Sequence, residues 1–311
     1  MSRIYDPTSK NIQKAAELLR AGALVAMPTE TVYGLACDAA NSEAVARLYA
    51  AKDRPQFNPL IAHICDLETA KHEGVFNQGA LGLAHQVWPG PLTLVTPLAP
   101  THTVCDLARA GLSSIALRVP AHPVARALLT AFGGPLVAPS ANPSGQISPT
   151  SAAHVAKDMG DKVDFILDGG ACEIGLESTI ISCLSDTPQI LRYGAYQAPD
   201  IFFAEQDKRK PDAPGALSRH YAPKATLRLN AAYPEGKEAY LGFGPALIHS
   251  TLNLSEAGNL NEAAANLFHM LRRLDETWPA IAVAPIPKTG LGLAINDRLT
   301  RAATRESISH D

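Results

Sequence analysis

Between Asn11 and Ala21 the apolar side chains of NIQKAAELLRA recur at helical spacing, and ALVAM at 23–27 follows as a buried strand. The alternation continues. Helices are predicted near 42–51, 79–87, 122–132 and 151–158. β-Branched runs predict strands at 60–64, 92–96, 114–119, 135–138, 163–167, 178–183 and 189–193. Helices and strands mixed over the first 203 residues indicate an α/β domain. The strands at 178–183 and 189–193 have no helix between them, so the sheet is expected to be mixed. The pattern breaks at 204–224, a charged stretch with three prolines that reads as a linker. A second α/β pattern follows, with strands near 225–229, 238–242, 245–249 and 280–285 and helices at 259–276 and 291–304. Leu260, Ala263, Ala264, Leu267, Leu271 and Leu274 form the apolar stripe of the first of those helices. The expected organisation is domain 1–203, linker 204–224 and domain 225–311.

A length of 311 residues suits two domains, and 46% hydrophobic residues supply a core for each. Lys plus Arg number 27 and Asp plus Glu 30, a net charge of −3 that argues against bulk binding of polyanions or membrane surfaces. A local basic groove remains open. The five cysteines lack CxxC spacing and the ten histidines lack an HExxH pair, which disfavours a disulfide framework or a zinc site. The start, MSRIYDPTSKNIQ, does not read as a signal peptide, and no apolar run reaches spanning length. A reducing, cytoplasmic setting is expected.

The chemistry gathers in polar segments at strand ends. PTETVYGL at 28–35 follows the first strand, where open α/β sheets place ligands. Taken alone, capping of a following helix by Thr29 or Thr31 explains it better. Lys52 and Arg54 sit two residues apart in a proline-stiffened loop and can hold an anion from two sides. A solvated helix end is an equal alternative. Ser140, Asn142, Ser144, Ser148 and Thr150 follow a buried strand and lead to a helix start near Ser151, a natural phosphate seat. So many small donors there favour a site over an ordinary loop. Arg118 lies in the apolar strand SIALRVP and needs an anionic partner, either a ligand or a structural carboxylate. Arg192 ends another strand. His63 on its own reads as a satisfied core histidine.

Familiar catalytic signatures are missing. No P-loop and no GxSxG elbow occurs, and GLGLAIN at 290–296 lacks the third glycine of a dinucleotide fingerprint. That segment reads as a tight strand-to-helix turn. Cation holders and small hydrogen-bonders without an activated nucleophile suit transfer at phosphorus, which works by positioning and charge stabilisation. The residues alone therefore point to an ATP- or phosphate-using α/β enzyme.

In order along the chain, PTETVYGLACDA, KDRPQFNPLIAHI, WPGPLTLV, LRVPAHP, PSANPSGQISPT and GLESTII resemble the YrdC-like domain of L-threonylcarbamoyladenylate synthases. PGALSRHYAP (214–223), NLSEAGNLNEAAANLFHMLRRLDE (253–276) and GLGLAINDRLTRAA (290–303) are similar to the two-domain members of that family. No single motif is decisive; the ordered set is specific.

The resemblance implies a YrdC-like open, twisted, mixed sheet with helices, followed by a smaller Rossmann-like α/β domain. It implies a nucleotidyltransferase that turns ATP, L-threonine and bicarbonate into L-threonylcarbamoyl-AMP and pyrophosphate. The product serves N6-threonylcarbamoyladenosine formation beside the tRNA anticodon, through downstream threonylcarbamoyl-transfer proteins. Whether tRNA is bound directly stays open. By the same resemblance, Lys52, Arg54, Ser140 and Asn142 are catalytic. Arg54, Asn58, Ser140, Ser148 and Arg192 contact ATP, with Ser114 a further candidate. Thr31, His63, Arg118, the backbone at Ala138, and Ser178 hold threonine. The linker folds over the cavity as a lid and brings His220 or Tyr221 to the nucleotide. Mg2+ rides on ATP without a protein metal cage. Pro139 departs from the family pattern, in which many members carry Thr. Two rivals rank lower: an RNA-binding factor, disfavoured by the −3 charge, and a hydrogenase-maturation carbamoyltransferase, disfavoured by the missing CxxC pairs.

Overall fold

A computed structural model describes residues 3–204, 220–245 and 250–304. The larger sheet has ten strands. They are β1 (Ile4–Tyr5), β2 (Val25–Met27), β3 (Gly34–Asp38), β4 (Ile61–His63), β5 (Leu92–Pro97), β6 (Ser114–Arg118), β7 (Leu136–Val137), β8 (Phe165–Leu167), β9 (Thr179–Ser182) and β10 (Gln189–Arg192). Their order is β1-β8-β2-β3-β7-β4-β6-β5-β9-β10. Both parallel and antiparallel pairs occur along it, so the sheet is mixed. Helices α1 (Ser9–Arg20), α2 (Ser42–Lys52), α3 (Leu67–Glu73), α4 (Gln78–Val87), α5 (Pro123–Phe132) and α6 (Ala152–Met159) punctuate the strands.

The smaller sheet has four strands: β11 (Thr226–Arg228), β12 (Glu238–Gly242), β13 (Leu252–Asn253) and β14 (Ala280–Val283). All three pairings are parallel, in the order β11-β14-β12-β13. The connections include α7 (Leu260–Asp275) before β14 and α8 (Leu291–Ala303) after it. A small parallel sheet with helices is what a Rossmann-like unit requires.

Two expectations need correction. PTETVYGL does not cap a helix. It turns the chain back into β3, which pairs antiparallel with β2 in the register Met27↔Gly34. Thr29 still acts as a local cap, its Oγ accepting from the backbone N–H groups of Thr31 and Val32 at 3.2 Å each. The pattern also missed β1, α3 and β13, all short. Of the strand expected at 245–249, residues 246–249 lie outside the described residues, as do residues 205–219 of the expected linker and lid.

Local chemistry explains the ends that matter. Asn41 caps α2 by accepting from the N–H groups of Glu43 and Ala44. Asp53 ends that helix in the left-handed region (φ 51°), and the tight turn sends Arg54 back toward the sheet. Ser151 caps α6, as the sequence predicts. At the start of α8, a Cβ on Gly292 would collide with the Pro287 carbonyl, so the turn demands glycine there.

One apolar core spans both sheets. Val32, Ile147 and Leu176 from the first 203 residues pack with Leu267, Phe268 and Leu271 of α7 and Leu299 of α8. Two ion pairs flank this seam: part-buried Arg272–Asp158 at 2.6 Å and exposed Lys157–Glu276 at 2.5 Å. Among the described residues, no helix is long and apolar enough to cross a membrane.

Candidate active site

A cavity of about 610 Å³, counted with the solvent at its mouth, gathers the ends of several short strands. The carboxyl ends of β2, β4, β6, β7 and β10 and the entry to β9 all reach it. Short strands make this possible: β4 has three residues, and both of its ends, Ile61 and His63, line the cavity. The lining includes Thr31, Arg54, His63, Arg118, Ala138, Ser140, Ser178, Arg192, His220 and Tyr221 from the predicted set.

The cations are the main feature. Arg54 is 9% exposed, and its Nε and one terminal nitrogen donate to the carbonyls of Asn58 (3.3 Å) and Pro59 (3.0 Å). Arg192, also buried, donates to the Ser178 carbonyl at 3.2 and 2.8 Å and to its hydroxyl at 3.2 Å. Gly194 lets this strand end lie against the Glu177–Ser178 backbone, where a Cβ would clash. Lys52 is 1% exposed, so the solvated-helix-end reading fails. Its Nζ donates to the carbonyls of Ser140 (2.5 Å) and Asn142, from behind the cavity wall. Burial lowers the pKa of all three groups, bringing Arg54 and Arg192 to about 10. Among the described residues none of the three has a carboxylate in ion-pair contact. Buried cations without a counter-ion are costly, and a bound anion relieves that cost.

Arg118 differs. It has the structural carboxylate that the sequence left as one of two options: its guanidinium donates to Glu30 at 2.6 Å, to the Thr31 hydroxyl at 3.0 Å and to the Gly90 carbonyl at 3.3 Å. Burial alone would raise the Glu30 pKa, but the Arg118 charge and hydrogen bonds from Arg118 and the backbone leave it below the usual carboxylate range. Three of Arg118's donors are thus engaged; a guanidinium has five.

His63 is not a satisfied core histidine. It is 3% exposed, it lines the cavity, and its Nδ1 has no hydrogen-bond partner among the described residues. Unpartnered buried polar atoms are rare in folded proteins. Here they concentrate around this cavity, on Asn58, His63, Asn142, His220 and Arg298. Asn58 and Asn142 are buried just behind the lining. Ser148 also sits behind it, donating its hydroxyl to Glu177 at 2.6 Å. Ser114 is not brought in. It begins β6 opposite Pro97, four residues from Arg118 and so about 13 Å away at ~3.3 Å per residue.

From the end of the linker, the ring of Tyr221 stacks on Phe268 at 5.5 Å, and the Arg298 guanidinium lies over the Tyr221 ring at 5.1 Å from the centroid. His220 packs edge-on against Tyr221 at 4.0 Å. Sequence reasoning missed Glu30, Glu177 and Arg298 as members of the site. All three stand in quoted motifs, but the Glu177–Arg298 ion pair, between positions 121 apart, leaves no local signal.

Burial pushes His63 and His220 down to about 3, so both are neutral in the fold at neutral pH. An unfolded histidine titrates near 6.5. Between about 3 and 6.5 the unfolded chain therefore binds protons that the folded chain refuses, and stability rises with pH across that window. The melting temperature is expected to fall as pH drops from 7 to 5, a range above most carboxylate titration. Calorimetry checks this, and His63→Gln should flatten the slope.

The fold and cavity define a class: a mixed-sheet α/β protein whose cavity is walled by buried arginines. More closely, the chain belongs to the threonylcarbamoyl-AMP synthase family, in its two-domain form. Residues 17–194 match the Sua5_yciO_yrdC family model, described as telomere recombination, and residues 179–304 match the threonylcarbamoyl-AMP synthase C-terminal domain. The threonylcarbamoyl-AMP synthase of Bacillus subtilis is 39% identical, with 96% of each chain covered. A shorter synthase from Vibrio campbellii is 34% identical and aligns over its whole length with 60% of this chain. Among solved structures, Pyrococcus abyssi Sua5 complexed with L-threonine superposes with a TM-score of 0.89 at 35% identity, covering 97% of this chain and 98% of that one. Escherichia coli YciO, at 24% identity and a TM-score of 0.57, shares the fold of the larger part.

Proposed function

We propose that this cavity joins L-threonine, bicarbonate and ATP into L-threonylcarbamoyl-AMP. The unprotonated threonine amine takes up bicarbonate-derived CO2 as a carbamate. A carbamate oxygen then attacks the α-phosphorus of ATP, and pyrophosphate leaves. The mixed anhydride goes on to threonylcarbamoyl-transfer proteins that modify tRNA beside the anticodon. The observation that carries this reading is the group of buried cations, Lys52, Arg54 and Arg192, without carboxylate partners among the described residues.

Arg54, Arg192 and Ser140 take the triphosphate, with the unpartnered Asn58 amide and Ser148 close behind. Lys52 positions the Ser140–Asn142 turn through its two carbonyl contacts. Asn142 shares that turn. The two free N–H groups of Arg118 receive the threonine carboxylate. Thr31, His63, the Ala138 backbone and Ser178 surround the rest of the amino acid. The neutral His63 imidazole offers its unpartnered Nδ1 to a ligand without adding charge. His220 and Tyr221 cover the nucleotide, and a lid formed with the linker at 204–224 excludes water from the carbamate and the anhydride, both readily hydrolysed.

Among the described residues no group of three or more His, Cys, Asp or Glu side chains could hold a metal ion. The carboxylate in the cavity wall, Glu177, is engaged by Ser148 and Arg298. That donor set fits Mg2+ carried on the triphosphate, where it neutralises phosphate charge. The free state of all five cysteines supports a cytoplasmic location.

The test is mass detection of threonylcarbamoyl-AMP from protein, ATP, threonine and bicarbonate. Product and pyrophosphate should each require both threonine and bicarbonate. Pyrophosphate release that ignores threonine sinks the proposal.

A further inference from the structure

Glu177 is the one carboxylate among the described residues lining the cavity. Its position is awkward, because Arg54 and Arg192 share that wall and an anionic substrate needs them both. An unrestrained glutamate there would pair with either arginine and compete with the substrate's own charge. The structure shows what prevents this. One carboxylate oxygen accepts from Ser148 Oγ at 2.6 Å, and the other accepts from Arg298 Nε at 2.8 Å. Arg298 comes from α8, on the smaller sheet, and is 1% exposed. Asp297 holds a second of its nitrogens at 2.6 Å, and the Tyr221 ring covers its guanidinium. Arg298 is not itself among the cavity-lining residues.

We propose that Arg298 is a positioning residue for nucleotide binding. From α8 it pins the Glu177 carboxylate to the Ser148 side, out of ion-pair contact with Arg54 and Arg192, and so keeps the cavity positive for its anionic substrate. The smaller sheet thereby takes part in ATP binding without touching ATP. This inference rests on the assignment of Arg54 and Arg192 to the nucleotide.

The experiment is steady-state kinetics of pyrophosphate release with ATP and threonine varied separately. Arg298→Met should raise KM for ATP about tenfold or more, as a loose charge enters the site, and leave KM for threonine within about twofold. Adding Glu177→Gln to Arg298→Met should bring KM for ATP back toward the starting value, because the competing charge is gone. Arg298→Lys, whose ammonium cannot bridge Glu177 and Asp297 as a planar fork does, should show the same shift at smaller size and serves if the methionine variant does not fold. A purely structural role would lower the folded fraction and hence turnover, leave both KM values alone and show no rescue. An unchanged KM for ATP in folded Arg298→Met, or failure of Glu177→Gln to restore it, overturns the inference. Arg192→Met is the reference. If it raises KM for ATP while the Arg298 variants are silent, the inference alone falls; if it too is silent, the nucleotide assignment falls with it.

Discussion

Arg54→Ala is expected to lower kcat/KM for threonine-dependent pyrophosphate release by about two to three orders of magnitude, the usual cost of losing one preorganised charge donor. The side chain is held before substrate arrives, by the carbonyls of Asn58 and Pro59. Its pKa of about 10 keeps it charged at neutral pH despite burial. Because no carboxylate among the described residues depends on it, removal strands no buried anion, and the fold should survive. Thermal melting beside kinetics separates the two effects. A folded Arg54→Ala protein with unchanged kcat/KM would remove Arg54 from the site.

Arg118→Met should fail in two ways at once. Threonine loses the guanidinium proposed for its carboxylate, raising KM for threonine by about a hundredfold, or ~2–3 kcal/mol for a charge-assisted pair. Glu30, 5% exposed, loses its counter-ion, and breaking a buried pair typically costs ~3–5 kcal/mol of stability. The double variant Arg118→Met/Glu30→Gln tells these apart. It should recover much of the lost melting temperature but none of the threonine affinity. Recovery of both would make Arg118 a structural residue only.

Much of the fold was legible because its helices carry strong periodic stripes and caps. Asn41, His122, Ser151 and Asn259 each stand at the start of a helix. β3 was not legible. GLACD has no β-branched residue and opens on glycine; it is extended because β2 and β7 supply its hydrogen-bond partners on either side. α3 has seven residues, too few for a period to declare itself.

The site was legible by its cations and hydroxyls. Buried Lys52 and Arg54 show that the choice between anion holder and solvated helix end turned on tertiary packing, not spacing. Ser114 shows the converse: it is not among the residues that line the cavity. It and Arg118 belong to one five-residue strand, and a strand has two ends, only one of which meets the cavity. Glu177 and Arg298 were invisible as a pair, because their meeting depends on how the two sheets pack.

That packing couples the two halves of the chain in energy as well as in space. Val32, Ile147 and Leu176 owe their burial partly to side chains of α7 and α8, so drift on either side of the seam must be answered on the other. Grafting the smaller sheet of one family member onto the larger sheet of another is therefore expected to mismatch the seam before it disturbs any residue of the cavity.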